Sequence, residues 1–174
     1  MSASRPILIN DGKLDHNAIA TELRKCVDII LRKAHFDLSY DIKITPPGGP
    51  AALENPEVLL VFRGRQMDLL LERNAELLKA MEHIALRWLR IDPQFYDRVR
   101  FDAGGYRAMR IEELKISARV AAERVREIKT PFRFNSMSAR ERRILHLVLK
   151  EEPGVRTSSE GSGEDRQVIV YPAE

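Results

Sequence analysis

Arg142 and His146 stand four residues apart, and on a helix that spacing places a guanidinium and an imidazole on one face, one turn apart. Two donors at this distance can grip adjacent oxygens of one phosphate group, and Arg140 and Arg143 flank them. An imidazole of ordinary pKa, about 6.5, would bind phosphate better once protonated. Both side chains are expected to be exposed. Lys150, Arg156, Arg166, Arg107 and Tyr106 complete the candidate nucleic-acid contacts. Residues 106–150 carry twelve Lys/Arg, most of them arginine, against five glutamates, so this stretch is +7 in a chain whose net charge is +3. The remaining residues therefore sum to −4. A stretch of this kind reads either as a phosphate-neutralising surface or as a solvated helical face laced with ion pairs.

Other chemistry finds little support. One cysteine, Cys26, and four scattered histidines give no disulfide and no metal-ligand spacing. Neither a phosphate-binding G-x-x-x-x-G-K-[ST] loop nor a G-x-S-x-G elbow is present, and no carboxylate pair stands out, so no catalytic residue, metal or cofactor is expected. The lone histidine His83 reads as a packed helix residue and Trp88 as core. No apolar run reaches the roughly 18 residues of a membrane span, and the first residues lack a signal-peptide core, which points to a cytoplasmic protein.

The 174 residues, 44% hydrophobic and 32% charged, suffice for a buried core. Apolar spacing predicts a helix over residues 15–34 with Asp15 as its cap, an alternating strand over 37–45, a proline- and glycine-rich loop over 45–56, and a buried strand over 57–63. A single helical turn at 68–71 precedes ERNA (72–75), and a longer helix to residue 91 follows, with Leu77, Leu78, Met81, Ile84, Ala85, Trp88 and Leu89 as its apolar stripe. A strand at 98–102 closes an α-β-β-α-α-β unit of α+β class, residues 15–105. Residues 106–130 read as a long basic linker helix, with Met109, Leu114, Ala118, Val125 and Ile128 near one side. Residues 131–172 form a small α/β unit: a short strand, a helix starting at Ser138 with a Ser138/Glu141 capping box, and two strands around the turn EGSGED.

Residues 138–172, SARERRILHLVLKEEPGVRTSSEGSGEDRQVIVYP, resemble throughout the R-x-x-x-H (R-three-H) single-stranded nucleic-acid-binding domain. The combination resembles most closely the bacterial Jag/KhpB family, in which a KH domain precedes the R-x-x-x-H domain. The α-β-β-α-α-β order is that of a type II KH fold, and GGYRAMRIEELKISARVAAERVREIK is similar to the family's linker helix. The resemblance covers roughly residues 17–172 and implies binding of single-stranded RNA, or of single-stranded DNA. The family's N-terminal Jag domain is expected to be missing. One departure stands out: Glu72, Arg73, Asn74 and Ala75 occupy the GxxG positions where a KH domain clamps the nucleic-acid backbone. A negative charge at Glu72 and a methyl group at Ala75 are expected to obstruct a phosphate there, while Asn74 can take the left-handed conformation of a glycine. A protein-interaction module, whose KH half pairs with a second KH protein or with another copy of itself, is the alternative.

Overall fold

The computed structural model describes residues 8–10, 12–45 and 55–173. Most of the expected loop at 45–56 lies outside them. The chain separates into two compact units, one up to Tyr106 and one from Arg107 onward. No helix among the described residues is long and apolar enough to cross a membrane.

The first unit opens on a small hairpin, β1 (Ile9–Asn10) and β2 (Lys13–Leu14), that the sequence pattern did not reveal. Helix α1 (His16–Lys33) follows, and the Asp15 carboxylate accepts the Ala18 N–H at 2.9 Å, the expected cap. Its buried stripe is Ile19, Leu23, Cys26, Val27 and Leu31. Strands β3 (Leu38–Ile44) and β4 (Val58–Gly64) pair antiparallel, and β5 (Val99–Ala103) joins β4 in parallel, giving the order β3-β4-β5. A parallel neighbour needs a crossover, which helix α2 (Met67–Leu89) and a 3-10 turn (Pro93–Arg98) supply. Gly64 cannot be replaced simply: a Cβ there would lie 2.7 Å from the Asp37 carbonyl oxygen, and φ is +130°. This glycine ends a strand and takes no part in the turn between the helical segments.

Helix α2 is broken where ERNA predicts a break. Glu72 is extended (φ −56°, ψ 153°), and Arg73, Asn74 and Ala75 are all left-handed, with φ of +49°, +61° and +57°. Each such non-glycine residue costs on the order of 1 kcal/mol. The Tyr106 hydroxyl offsets part of this by donating to Asn74, reaching its carbonyl oxygen at 3.0 Å and its Oδ1 at 2.6 Å. Ala75 is fully buried, so its methyl group sits in the core and does not stand in a phosphate's way; the expected steric obstacle at this position is absent.

Three further expectations on α2 fail for one reason. Trp88 is 48% exposed, Ile84 is 52% exposed, and His83 is exposed as well. The buried stripe is Leu78, Met81, Glu82, Ala85, Leu86 and Leu89. Successive helix positions differ by about 100°, so residues 83, 84, 87 and 88 turn away from that stripe. Glu82 takes the inward place an apolar residue was expected to hold, bonding Arg100 at 2.7 Å and accepting the Phe101 N–H at 2.7 Å.

The second unit is built from α3 (Tyr106–Ile128), which starts at the last residue of the first, β6 (Phe132–Arg133), α4 (Ala139–Lys150), β7 (Val155–Glu160), a 3-10 turn (Gly163–Asp165) and β8 (Gln167–Pro172). Its sheet runs β6-β8-β7 and is antiparallel throughout. On α3 the buried residues are Leu114, Ala118, Ala121, Ala122 and Val125; Met109 and Ile128, expected near that side, are 55% and 53% exposed. Helix α4 begins at the predicted capping box. Ser138 Oγ accepts the Glu141 N–H, and the Glu141 carboxylate accepts the Ser138 N–H at 3.1 Å. Ile144, Leu145 and Leu149 form its buried face, and Val148 is half-buried.

Candidate nucleic-acid interface

Helix α4 presents Arg142, His146 and Lys150 at successive intervals of four residues, one stripe along one face. The stripe does not lie open as two free donors. The His146 ring is half-buried and spans two hydroxyls of β7, with Nδ1 2.7 Å from Thr157 Oγ1 and Nε2 2.7 Å from Ser159 Oγ. Alternate strand residues point to one side, so Thr157 and Ser159 reach the ring together. Burial, then the charges of Arg142 and Arg166, hold the imidazole below its ordinary pKa. That direction favours the neutral ring. One nitrogen therefore donates to one hydroxyl while the other nitrogen accepts from the second. The expected exposed imidazole is corrected to a half-buried ring clamped by two hydroxyls.

Arg142 is half-buried too. Its Nη1 donates to the Met137 carbonyl oxygen at 3.0 Å and reaches that of Arg166 at 3.5 Å. The same Arg166 carbonyl accepts the Met137 N–H at 3.2 Å, so the backbone before α4 and the start of β8 hold the guanidinium between them. Arginine carries five N–H donors in a planar fork, and Nε and Nη2 remain outside these contacts. Arg166 is exposed and close enough to His146 to depress its basicity. The structure thus assembles Arg142, Arg166, His146, Thr157 and Ser159 into one polar cluster. Thr157 and Ser159 were missed; a T-x-S pair in the strand after the R-x-x-x-H helix was the available signal.

The other candidates scatter. Lys150 and Arg143 are exposed on α4. Arg140 is half-buried and engaged within the protein, as is Arg107. Arg156 alternates with Thr157 and so faces the opposite side of the sheet, where its guanidinium stacks 4.7 Å from the Tyr171 ring. Tyr106 belongs to the first unit and gives its hydroxyl to Asn74. Of the ERNA residues, Glu72, Arg73 and Asn74 are exposed.

Several basic residues of the +7 stretch are structural. Arg110 Nε bonds Glu141 at 2.8 Å and its Nη1 bonds Glu113 at 3.0 Å. Burial pushes the Glu141 carboxyl up, but bonds from Arg110 and Ser138 outweigh it and hold the group below its usual range. Lys115 pairs with Glu112 at 2.6 Å, and Arg126 ties α3 to Glu152 at 3.3 Å and to the Pro153 carbonyl at 3.0 Å. Among the described residues, no group of three or more His, Cys, Asp or Glu could hold a metal ion.

The cluster lies within a segment that matches a known domain family. Residues 112–172 match the R-three-H domain, a match that takes in most of α3 together with α4 and the sheet. The chain is similar to the RNA-binding protein KhpB of Clostridium symbiosum, 28% identical over 114 residues, covering 66% of this chain and 51% of that protein. It is similar as well to the RNA-binding protein KhpB of Bacillus subtilis (strain 168), 30% identical over 109 residues, 62% of this chain and 52% of the relative. The chain spans about half the length of these curated relatives. The chain thus carries an R-three-H domain at residues 112–172 and is related to the KhpB proteins over roughly two thirds of its length.

Proposed function

We propose that this protein is an RNA-binding protein, not an enzyme, that takes single-stranded RNA, or single-stranded DNA, through phosphate contacts made by the polar cluster of the R-three-H domain. The observation that carries the reading is the His146 ring held between Thr157 and Ser159 beside Arg142 and Arg166. The hydroxyl that accepts from the ring keeps its own O–H to donate, which two charged guanidinium groups complement as phosphate ligands. His146 then works as a positioning residue: it orients hydroxyls. Arg143 and Lys150, exposed on α4, and Arg140 add positive charge around the cluster. A cytoplasmic location goes with this reading.

The relatives' name supports RNA as the ligand class, and the element order of the first unit supports a type II KH-like fold for it. In that unit Glu72 puts a negative charge on the loop where a KH domain clamps phosphate, so its direct share in binding is small. With roughly three to five phosphates neutralised, log K against log salt should slope by about −2 to −3.5 for a single strand. Arg142→Ala should flatten that slope by about 0.7, one phosphate. A slope that is flat in the unaltered protein would remove the reading.

A second reading is favoured by Ile84 and Trp88, four residues apart and half exposed on α2. In it the first unit docks another KH-type protein or a second copy of this chain, and RNA contact is secondary. Sedimentation of the protein with and without Trp88→Glu tests self-association: a dimer that the change dissociates supports it, and a concentration-independent monomer removes the self-pairing form.

A further inference from the structure

The second unit has a concavity lined by α3, β6 and the segment that leads from β6 toward α4. Its volume is about 370 Å³, at the small end of the roughly 300–1,000 Å³ range of ligand pockets. Ile116, Val120, Arg124, Phe132, Phe134 and Asn135 form most of its wall. Ile116 and Val120 are 59% and 58% exposed, so α3 turns two large apolar side chains outward here. Phe132 and Phe134 meet edge to face, centroids 5.1 Å apart, and both rings are half-exposed. The Arg124 guanidinium lies 5.8 Å from the Phe132 ring, and the wall also takes in Arg133, which contacts Glu160 at 3.5 Å. No wall residue is acidic.

Resting on the phosphate-binding reading above, we propose that this groove is a nucleobase subsite: it takes one base of the strand whose phosphate sits on the Arg142 cluster. Three requirements of base recognition coincide in it. Aromatic and aliphatic side chains supply a stacking surface, which every base can use. Arg124 and Arg133 make the rim positive, which suits a ligand that carries a phosphate on either side of the base and disfavours a basic or purely apolar occupant. Asn135 brings both an amide donor and a carbonyl acceptor, the groups that read a base edge.

Backbone connectivity ties the groove to the cluster. Phe134 donates its N–H to the Val168 carbonyl at 3.0 Å, and Met137, three residues on, donates its N–H to the Arg166 carbonyl at 3.2 Å. Met137 in turn holds Arg142. Three residues of chain span at most about 10 Å, so the backbone that lines the groove and the backbone that holds Arg142 are close along one segment, and the proposal places adjoining parts of one strand on them.

The test measures affinity of the full chain for two probes, a short oligouridylate and a sugar–phosphate oligomer of equal length lacking bases. Val120→Asn and Phe134→Ala are compared with Arg142→Ala, with circular dichroism as the check on folding. The expected result is a loss of about tenfold for oligouridylate in both groove variants, within the usual worth of one stacked base, and no change for the base-free probe. Arg142→Ala should weaken both probes. Val120 is an exposed helix position, so its variant keeps the test alive should Phe134→Ala unfold. Groove variants that bind oligouridylate like the unaltered protein overturn the subsite and leave the phosphate reading standing; an Arg142→Ala without effect on either probe overturns the phosphate reading instead. A groove variant that weakens both probes equally also overturns the subsite. Titration with uridine monophosphate, followed by NMR, separates a strand base from a free nucleotide. Saturable shifts at Phe134 and Asn135 at micromolar nucleotide would assign the groove to free nucleotide and overturn the strand proposal, whereas shifts only near millimolar concentrations support it.

Discussion

At position 146 the ring trades charge for geometry. A protonated imidazole donates from both nitrogens, so the hydroxyl that had donated to the ring must turn to accept, and a cation is added in a half-buried place beside Arg142 and Arg166. The sign follows. The folded-state pKa is depressed, so the unfolded chain binds the proton more readily between that value and about 6.5. The stability tied to the neutral ring is fully present above about pH 6.5 and is lost as pH falls through the lower folded value. Denaturant melts at pH 8, 7, 6 and 5 should show a loss of stability on the acid side that His146→Gln reduces. A variant with the same acid-side loss as the unaltered protein would mean that another group titrates. The same logic changes the expectation for binding. RNA affinity should be nearly level between pH 8 and pH 7, because the ring does not gain its charge in that interval.

The elements divide by how local their determinants are. Caps and breaks were legible because each depends on a few adjacent residues: Asp15 before α1, Ser138 with Glu141 at α4, and ERNA within α2. Strands β3, β4 and β5 were legible from alternation and apolar runs. What escaped needed a register between distant segments. Thr157 and Ser159 become part of the cluster only because α4 lies over β7, eleven and thirteen residues beyond His146. Trp88 and Ile84 were misplaced because a seven-member apolar stripe is too wide to say which edge faces the core, and because Glu82, paired with Arg100, took an inward position. The broken helix also yields a test of sign. In a continuous exposed helix, Arg73→Gly would cost about 1 kcal/mol. With φ of +49° and an exposed side chain at Arg73, the glycine relieves left-handed strain, and stability should hold level or rise by up to about 1 kcal/mol. Thermal melting distinguishes the two: a clear fall in Tm would mean that the break is not there.

Across the whole molecule, charge is uneven, and the two units differ in what they can do. Three of the twelve basic residues in 106–150, Arg110, Lys115 and Arg126, are engaged in ion pairs, so the count of basic side chains overstates the surface available to a ligand. Exposed positive charge lies on α4 at Arg143 and Lys150, and Arg166 adds to it from just before β8. The central claim is that the Arg142 cluster binds the backbone of single-stranded RNA. Its most direct measurement is the affinity of the double variant Arg142→Ala/His146→Ala for a single-stranded RNA oligonucleotide at fixed salt, beside the unaltered protein. One lost charged contact and one lost set of oriented hydroxyls should together weaken binding by at least about tenfold, the equivalent of roughly 1.4 kcal/mol, while circular dichroism shows the helices intact. Affinity equal to that of the unaltered protein, in a folded double variant, would contradict the account.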